Sequence, residues 1–368
     1  MPLTRRKTLA LIGGGTILAA GTAAAGFALT RTPHAALAPW DMAGGYDDPR
    51  LDALSYGLLA PNPHNRQPWA VELDGGDGFL VWRDKTLDLP VTDPFGRQLT
   101  IGMGCFLDLT RMAAAERGFD MRTDLFPEGE DGPVAACRFV EGAARDPLFA
   151  HVMERRSHKE AFEPRAVTAA AAAPLAAYAQ LHLGGDSTER LRLLAHEAWL
   201  IEAATPAAWQ ESIDLLRIGK AEINASPDGI DAGGPFLEGL AALGVFTREA
   251  ASDVNNPGTR NAIEETAAAI LGAPGFTVQT TPGNSRLDQI AAGRDWLRLN
   301  LAATGAGLAL RPVSQALQEY TEVAGPYDAM QAEFADPGET VQMLGLLGYG
   351  TRTPRTPRWP LEAKRLDA

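Results

Sequence analysis

Two short clusters of polar and charged residues have the types and spacing to hold an anionic ligand. The cluster Arg155-x-Ser157-x-Lys159 places two cations and a hydroxyl on alternate residues at the start of a stretch with helical character. The segment Pro61–Trp69, PNPHNRQPW, is a proline-stiffened turn that offers side-chain amides and backbone donors. Cations beside the free N–H groups of a helix start favour a phosphate. The first cluster is therefore suited to a phosphate group.

Each cluster also has a purely structural interpretation. Arg155 and Lys159 could form a solvated basic face, and the turn could be a capped loop that buries Trp69 in the core. Gln67 and Trp69 are expected to be structural in either case. Neither cluster decides the function alone, so their interpretation depends on the rest of the chain.

Charge and metal-ligand spacing exclude two classes of function. The 368 residues carry a formal net charge of −13, and nucleic-acid binding needs a basic face. No CxxC, HExxH or carboxylate cluster has metal-ligand spacing, so we expect no metal. Cys105 and Cys137 lie in apolar stretches, which favours buried free thiols, although an oxidising compartment would permit a disulfide.

Residues 1–30 have the pattern of an export signal. Thr4-Arg5-Arg6-Lys7-Thr8-Leu9 is a twin-arginine pattern, an uncharged run extends from Thr8 to Thr30, and Ala23-Ala24-Ala25 offers a cleavage site. We predict export to the periplasm by the twin-arginine machinery, which carries folded proteins. An uncleaved membrane anchor is the alternative, since the apolar run is about long enough to span a bilayer.

The remaining chain alternates predicted helices and strands. Residues 31–46 are expected to be a linker, and 219–286 a mobile covering segment rich in Gly, Pro and Asn. A helix is predicted from Asp48 to Leu59 and a hairpin from Ala70–Leu73 and Phe79–Trp82. Further strands are predicted at Ala135–Val140 and Val341–Leu347, and further helices at 99–118, 165–181, 187–218 and 288–308.

An internal repeat predicts two related halves. Ile101–Arg122 and Ile290–Arg311 align without a gap at an offset of 189 residues. Gly104 matches Gly293 and Gly118 matches Gly307, so that in both copies an apolar helix ends at a glycine and enters an extended segment. Alanine bias explains part of the match, but the shared glycines favour a duplication.

The two clusters together resemble the two parts of the FMN site in nitroreductase-like flavoproteins. That family implies an α+β fold in which antiparallel sheets are flanked by helices. In the family the phosphate motif precedes the turn motif by about thirty residues, whereas this chain has the reverse order and one motif per half. The resemblance therefore implies a pseudo-dimer of halves 47–148 and 149–368 with one FMN site. It is closest in pattern to the Acg-like branch, including RRSHKEAF and GYGTRTPRTPRWPLE.

The resemblance assigns roles to particular residues around FMN. Arg155, Ser157 and Lys159 would bind the phosphate, and the ring N5 would receive a backbone N–H from Ser314 or Gln315. Asn62-Pro63 replace the family's common Ser-Ser, which changes the hydrogen bonding expected there. No side chain is assigned as catalytic, and His64 and His158 are either proton donors or structural. The full set of predicted FMN contacts is Pro61, Asn62, Pro63, Asn65, Arg155, Ser157, Lys159, Ser314, Gln315, Arg355 and Arg358.

The predicted function is FMN-dependent oxidoreduction in a ping-pong cycle, with a nitro compound, a quinone or a similar small molecule as electron acceptor. The donor is undetermined, since NAD(P)H is scarce outside the cytoplasm and no dinucleotide fingerprint is present. A non-catalytic FMN-binding protein is the alternative, and a scaffold with an empty site is a third interpretation. Whether the fused halves pair again into a dimer is left undecided.

Overall fold

The first half of the chain is an antiparallel sheet packed against a long helix. The computed structural model describes Phe27 and residues 30–366, so the predicted export signal falls almost entirely outside the described residues. The sheet has the strand order β1-β2-β4-β3. In chain order the elements are α1 (His34–Met42), α2 (Pro49–Gly57), β1 (Trp69–Asp74), β2 (Gly78–Arg83), α3 (Arg97–Glu116), β3 (Phe119–Leu125) and β4 (Ala135–Glu141).

The second half has a sheet of its own, with the strand order β5-β8-β10-β9, and a helical insertion. In chain order its elements are α4 (Ala169–Ala172), β5 (Gln180–His182), α5 (Asp186–Ala204), α6 (Pro206–Asp214), β6 (Leu216–Ile218), α7 (Gly219–Ala225), β7 (Ile230–Ala232), α8 (Pro235–Ala242), α9 (Arg248–Ser252), α10 (Pro257–Leu271), β8 (Gly275–Thr281), α11 (Arg286–Gly305), β9 (Ala309–Pro312), α12 (Ala324–Phe334) and β10 (Thr340–Gly348). Single-turn 3₁₀ helices lie at Pro63–Asn65, Lys85–Leu87, Pro147–His151, Ala173–Leu175, Gln315–Leu317, Thr321–Val323 and Leu361–Lys364.

The two four-stranded sheets have the same topology. In each, the first two strands are neighbours, a long helix follows, and the last strand inserts beside the second. All strand pairs within both sheets are antiparallel. The helices α3 and α11, together with the strands that follow them, are the segments aligned by the sequence repeat. The predicted α+β class with two related halves is therefore confirmed.

The long helices α3 and α11 cross at matched glycines in the centre of the molecule. A side chain at Gly104 would overlap the carbonyl oxygen of Ile290, and one at Gly293 would overlap that of Ile101. These two contacts are exchanged by the repeat offset, as expected for a two-fold related pair. Only glycine allows the two backbones to approach so closely. Both helices lie in a hydrophobic core that extends across the two halves.

Several predicted elements are confirmed with small shifts at their ends. The helix predicted from Asp48 is α2, where the Asp48 side chain accepts a hydrogen bond from the Arg50 N–H at 2.9 Å and Pro49 occupies the first turn. The predicted hairpin is β1–β2, and Gly75 supplies a positive φ of 61° at its turn. The strands predicted near 135 and 341 are β4 and β10.

Residues 31–46 are not a simple linker, because they contain helix α1. Trp40 is 1% exposed, and its Nε1–H donates to the carbonyl of Thr356 at 2.8 Å. The carbonyl of Ala36 accepts from the Arg358 N–H at 2.8 Å. The indole thus anchors α1 on the C-terminal segment. Burial of this one aromatic side chain stabilises a helix here, although Pro33 and Gly44-Gly45 favour turns at its ends.

Two predicted helices differ from the structure. The helix expected over 165–181 is reduced to the four-residue α4 and one 3₁₀ turn, since Pro174 cannot continue an α-helix. The helix expected over 187–218 divides into α5 and α6 at Pro206, and its last residues form β6. In both cases the alanine-rich composition predicted a longer helix, whereas the position of a proline determines where the helix ends.

The segment 219–286 includes both surface helices and one core strand. β7 pairs in parallel with β6 to form a separate two-stranded sheet. Strand β8, near the end of the segment, is almost wholly buried between β5 and β10. In the part of the chain that the structure describes, no helix is long and apolar enough to cross a bilayer.

Candidate functional site

The turn Pro61–Trp69 connects α2 to β1 and has an unusual backbone. His64, Asn65 and Gln67 have positive φ values of 47°, 52° and 50°, a region that non-glycine residues seldom occupy. The Asn62 side chain holds the turn, since its Oδ1 accepts a hydrogen bond from the Gln67 N–H at 2.7 Å. Strain of this kind persists only where surrounding contacts fix it, and it is common in ligand-binding segments.

Gln67 and Trp69 are structural, as predicted. The Gln67 Nε2 donates to the carbonyl of Pro227 at 2.7 Å, and its Oε1 accepts from the Trp359 N–H at 2.9 Å. Trp69 is fully buried and stacks on Phe106 with ring centroids 4.8 Å apart. These contacts connect the turn to the core, to the insertion and to the C-terminal segment.

Helix α3 approaches the turn at Gly102. A β-carbon there would lie 3.1 Å from the Asn62 Cβ and 3.2 Å from the Pro63 Cδ. Any larger side chain at this position would push the turn away from the helix. Gly102 therefore sets the distance between the turn and the helix.

The turn, helix α3 and the segment after β9 enclose a cavity of about 190 Å³ between the two halves, which we call the polar cavity. Its lining is made of neutral side chains: Pro61, Asn62, Pro63, His64, Gln98, Ile101, Gly102, Cys105, Ser157, Trp296, Pro312, Ser314, Gln315, Gln318 and Met343. Six residues predicted from both clusters and from the second half are thereby brought together: Pro61, Asn62, Pro63, Ser157, Ser314 and Gln315.

Two buried arginines, neither of which lines the polar cavity, meet at the carbonyl of Leu59 just before the turn. Arg155 and Arg358 are each 3% exposed. Arg155 Nη2 donates to the carbonyl of Leu59 at 2.9 Å, and Arg358 Nη2 donates to the same oxygen at 3.3 Å. Arg358 Nη1 also donates to the Asn65 Oδ1 at 2.6 Å. Asn65 and Arg155, which come from different halves, are thus connected through one guanidinium.

These guanidinium groups have unmet hydrogen-bonding capacity. Arg155 Nη1 and Arg358 Nε are buried and have no hydrogen-bond partner. Burial lowers the pKa of Arg155 to about 10; burial and then the neighbouring Arg155 lower the pKa of Arg358 to about 9. No carboxylate within residues 30–366 forms an ion pair with either arginine, and Asp231, whose charge reaches Arg358, is paired with Lys159. Unpaired buried cations are costly, so an anion bound between these guanidinium groups would lower that cost.

Two of the predicted phosphate contacts lie elsewhere. Lys159 Nζ forms an ion pair with Asp231 at 2.7 Å, and the Lys159 side chain is 46% exposed. Arg355 Nη1 pairs with Asp41 at 2.6 Å. Neither side chain lines the polar cavity. The helix start expected at Arg-x-Ser-x-Lys is absent, because residues 155–159 are not helical and the N–H groups of His158 and Lys159 bond to the Leu310 carbonyl and the Thr353 hydroxyl.

The segment after β9 offers backbone donors to the polar cavity. The first hydrogen bond of its 3₁₀ turn is donated by the Leu317 N–H to the Ser314 carbonyl at 2.8 Å. The N–H groups of Ser314 and Gln315 precede that bond, so the turn itself does not use them. The side chains of both residues line the cavity as well.

The two predicted histidines differ in position. His64 lines the polar cavity, and burial lowers its pKa, which keeps the imidazole neutral near pH 7. His158 is 4% exposed and packs on Phe162 with ring centroids 4.7 Å apart. Of the two, only His64 faces the neutral-walled cavity.

Sequence reasoning missed one face of helix α3. Gln98, Ile101, Gly102 and Cys105 are spaced as one helical stripe and all line the polar cavity. The glycine within this stripe was a usable signal, since a helix-interior glycine commonly marks a close approach. Cys105 and Cys137 are buried free thiols, as predicted.

A buried acid behind the cavity was also missed. Glu202 on α5 is 2% exposed and accepts a hydrogen bond from Gln318 Nε2 at 2.8 Å and a long one from Gln315 Nε2 at 3.5 Å. Burial raises the pKa of Glu202 to about 7. No sequence pattern identified it. Within residues 30–366, no group of three His, Cys, Asp or Glu side chains is placed to hold a metal ion.

The sequence is similar to two curated proteins of Mycobacterium tuberculosis, both named as nitroreductases. “Putative NAD(P)H nitroreductase Rv3131” (strain ATCC 25618 / H37Rv) is 26% identical over 340 residues, covering 85% of this chain and 92% of the relative. “Putative NAD(P)H nitroreductase MT3217” (strain CDC 1551 / Oshkosh) gives the same values. No family model matches the sequence. This similarity over most of both chains supports the resemblance to nitroreductase-like proteins.

Two solved structures overlap with parts of the fold. The nitroreductase-like family protein from Bacillus cereus is 14% identical with a TM-score of 0.33, covering 60% of this chain and 96% of that one. The FMN-dependent nitroreductase NfnB from Mycobacterium smegmatis, in complex with NADPH, is 18% identical with a TM-score of 0.37, covering 59% and 96%.

Proposed function

We propose that the protein is an FMN-dependent oxidoreductase of the nitroreductase type, with one cofactor site between its two halves. The observation that carries this proposal is the buried pair Arg155 and Arg358, which has no carboxylate partner within residues 30–366. Arg155 is two residues from Ser157, which lines the neutral-walled cavity. A phosphate group would satisfy the pair, and a flat ring system suits the cavity. The nitroreductase names of the curated relatives support the same class.

The residues present fit FMN at its phosphate end. Arg155 Nη1 and Arg358 Nε are free to donate, and the Ser157 hydroxyl lies on the cavity wall. Asn65 holds the Arg358 guanidinium in place and is therefore a positioning residue. Charge-assisted hydrogen bonds to a phosphate in a buried setting are strong, so these contacts would dominate affinity.

The cavity walls fit the ring end. Pro63, Ile101 and Trp296 supply apolar surface, and Gly102 keeps the slot from being filled. The N–H groups of Ser314 and Gln315 would donate to the edge of the ring. When bound, FMN would supply two-electron transfer between a donor and an acceptor.

The chain's own contribution to proton handling is modest. His64 is neutral and faces the cavity, while Glu202 lies behind Gln315 and Gln318 and titrates near neutrality. We assign no catalytic acid or base. The acceptor would be a small electrophile such as a nitro compound or a quinone, and NAD(P)H is the donor to test first because the relatives are named for it.

We further propose that the protein belongs to the Acg-like branch and is exported to the periplasm by the twin-arginine route. It would act as a monomer that forms a pseudo-dimer. The twin-arginine pattern of residues 4–9 supports export of a protein that has folded around its cofactor. The matched contacts of Gly104 and Gly293 support an origin by duplication.

A non-catalytic FMN-binding protein is the second candidate, favoured by the insertion that closes on the turn. Asp228 forms a buried ion pair with Arg66, and the Gly229 N–H donates to the Asn65 carbonyl at 3.2 Å. A cover fastened at these points would retain FMN and limit access of a donor to it.

The test is the visible spectrum of the purified protein, followed by anaerobic addition of NADPH. A yellow protein that bleaches, and recovers its colour with a quinone, supports the oxidoreductase. A yellow protein that stays oxidised after addition of NADPH or NADH, in samples without dithionite, supports storage. A colourless protein that does not take up added FMN overturns both candidates and favours the scaffold with an empty site.

A further inference from the structure

A second cavity, of about 210 Å³, lies on the opposite side of the segment that carries Arg155 and Ser157. Alternate residues of that segment, Arg156 and His158, line it together with Arg352 and Thr351. Because side chains of an extended segment point to opposite sides in turn, this cavity is separate from the polar cavity. We call it the second cavity.

Two arginines converge on the second cavity. Arg156 Nη1 donates to the carbonyl of Met153 at 3.2 Å, and Arg352 Nη2 donates to the same oxygen at 3.3 Å. Burial and then the charge of Arg352 lower the pKa of Arg156 to about 10. Within residues 30–366 neither arginine forms an ion pair with a carboxylate. Glu154 lines the cavity too, but it is exposed.

Two buried polar atoms at the second cavity have no partner. Arg156 Nε is buried without a hydrogen bond. His158 is 4% exposed, its backbone N–H is fixed on the carbonyl of Leu310 at 2.9 Å, and its Nε2 is also unpartnered. A buried group left without a hydrogen bond costs free energy. Arg156 Nε, and His158 Nε2 in its Nε2–H tautomer, are therefore suited to a ligand that accepts hydrogen bonds.

We propose that the second cavity binds a small oxyanion of the phosphate class, held between Arg156 and Arg352 with His158 Nε2 as a further donor. Converging guanidiniums and an imidazole N–H match the several acceptor oxygens of a tetrahedral anion. This site is distinct from the Arg155–Arg358 pair, and the proposal does not rest on FMN binding.

The test is titration of the FMN-treated protein with inorganic phosphate at ionic strength held constant with sodium chloride. Binding is followed by calorimetry and by the imidazole resonances of His158 in protein labelled with ¹⁵N-histidine. The wild type is expected to show saturable binding with a shift of the His158 signal. Arg352→Gln is expected to weaken that binding about tenfold, and Arg156→Gln at least as much.

Arg260→Gln is the matched control, since Arg260 is an exposed arginine on α10, 3.9 Å from Glu264. It is expected to bind phosphate as the wild type does. Phosphate binding that is absent in the wild type, or equal in the wild type, Arg352→Gln and Arg156→Gln, would overturn the proposal. FMN content is measured separately from the visible spectrum, so loss of the flavin proposal would not be mistaken for loss of this one.

Discussion

The polar cavity and a groove related to it by the sequence repeat differ in the charges around them. The repeat offset relates Ser314 and Gln315 to Leu125 and Phe126, and these line a groove beside the start of α11. That groove, which we call the counterpart groove, also contains Arg97 and Arg286. The two regions have the same backbone plan but different side chains.

The charges are balanced in only one of the two regions. In the counterpart groove, Arg97 Nε lies 3.4 Å from a Glu319 carboxylate oxygen, and Arg286 Nε lies 2.9 Å from one of Glu130. Within the described residues, Arg155 and Arg358 have no carboxylate partner. Removing the partner of a buried charge leaves that charge uncompensated, which is costly. At the repeat offset Arg97 and Arg286 correspond to each other, so the counterpart groove holds a related pair of arginines that is neutralised within the protein.

The largest expected effect comes from the glycines on which the symmetry depends. Gly104→Val and Gly293→Val should each destabilise the protein by about 3 kcal/mol or more, because the new side chain meets backbone that cannot move aside. Thermal unfolding measures this loss. Gly118→Ala is the control, since its added carbon has no neighbour within 4 Å and only the φ of 86° opposes it. If only one of the two valine variants were destabilised, the two-fold contact between the helices would be contradicted.

The next effect separates the unpaired arginines from the paired ones. Arg155→Met should lower FMN affinity about 100-fold, because a charge-assisted contact to phosphate in a buried site is lost. Arg286→Met, in the counterpart groove, should leave FMN affinity within twofold. Fluorescence titration with FMN measures both. Equal affinities in the two variants would remove the phosphate assignment.

A third prediction concerns the acid behind the polar cavity. The folded protein holds a proton on Glu202 up to a pKa of about 7, compared with 4.5 for an unperturbed Glu, and the nearby Glu211 adds to the shift. Between these values the folded state binds more protons than the unfolded state, so its free energy of unfolding falls as pH rises and then levels off above about pH 7.

Glu202→Gln should remove that loss and stabilise the protein at pH 8 by at most about 3 kcal/mol. The amide oxygen can still accept from Gln318, which leaves the hydrogen bond in place. Melting temperatures at pH 5, 6, 7 and 8 measure the effect. Parallel curves for the wild type and Glu202→Gln would show that Glu202 stays charged.

The smallest effect is expected at the predicted contacts that the structure places elsewhere. Lys159→Ala and Arg355→Ala should each change FMN affinity less than twofold, since both side chains are partly exposed and paired with Asp231 and Asp41. Flavin content after gel filtration is a sufficient measurement. A tenfold loss in either variant would mean that the ion pairs exchange for a phosphate contact when FMN binds.

Much of this arrangement could be predicted from local sequence. The strand pair β1–β2, the helices α3 and α11 and the repeat follow from periodicity and from glycines at helix ends. The helix breaks near Pro174 and Pro206 could have been predicted from proline alone, but alanine-rich composition outweighed them. Helix α1 could not, because its stability depends on Trp40 meeting a segment more than 300 residues away in sequence.

The FMN contacts stay a prediction, but part of their arrangement was visible in the sequence. The turn motif and Arg155, Ser157 and Arg358 were singled out by their residue types, and the structure brings the two arginines together at the Leu59 carbonyl. Lys159 was not placed correctly, since its partner Asp231 is on the insertion and no pattern in the sequence pairs them. Glu202 is undetectable from sequence for the same reason: its altered pKa comes from tertiary burial.

The C-terminal segment connects the second half of the molecule back to the first. After β10 the chain leaves the second sheet, returns across the first half and ends beside β1, where the Leu366 N–H donates to the Val71 carbonyl at 2.8 Å. Arg358 lies on this returning segment, and its own N–H is bound to the Ala36 carbonyl on α1 at 2.8 Å. The Arg155–Arg358 pair therefore depends on a segment that has left its own half, so the pair is complete only when both halves have packed together.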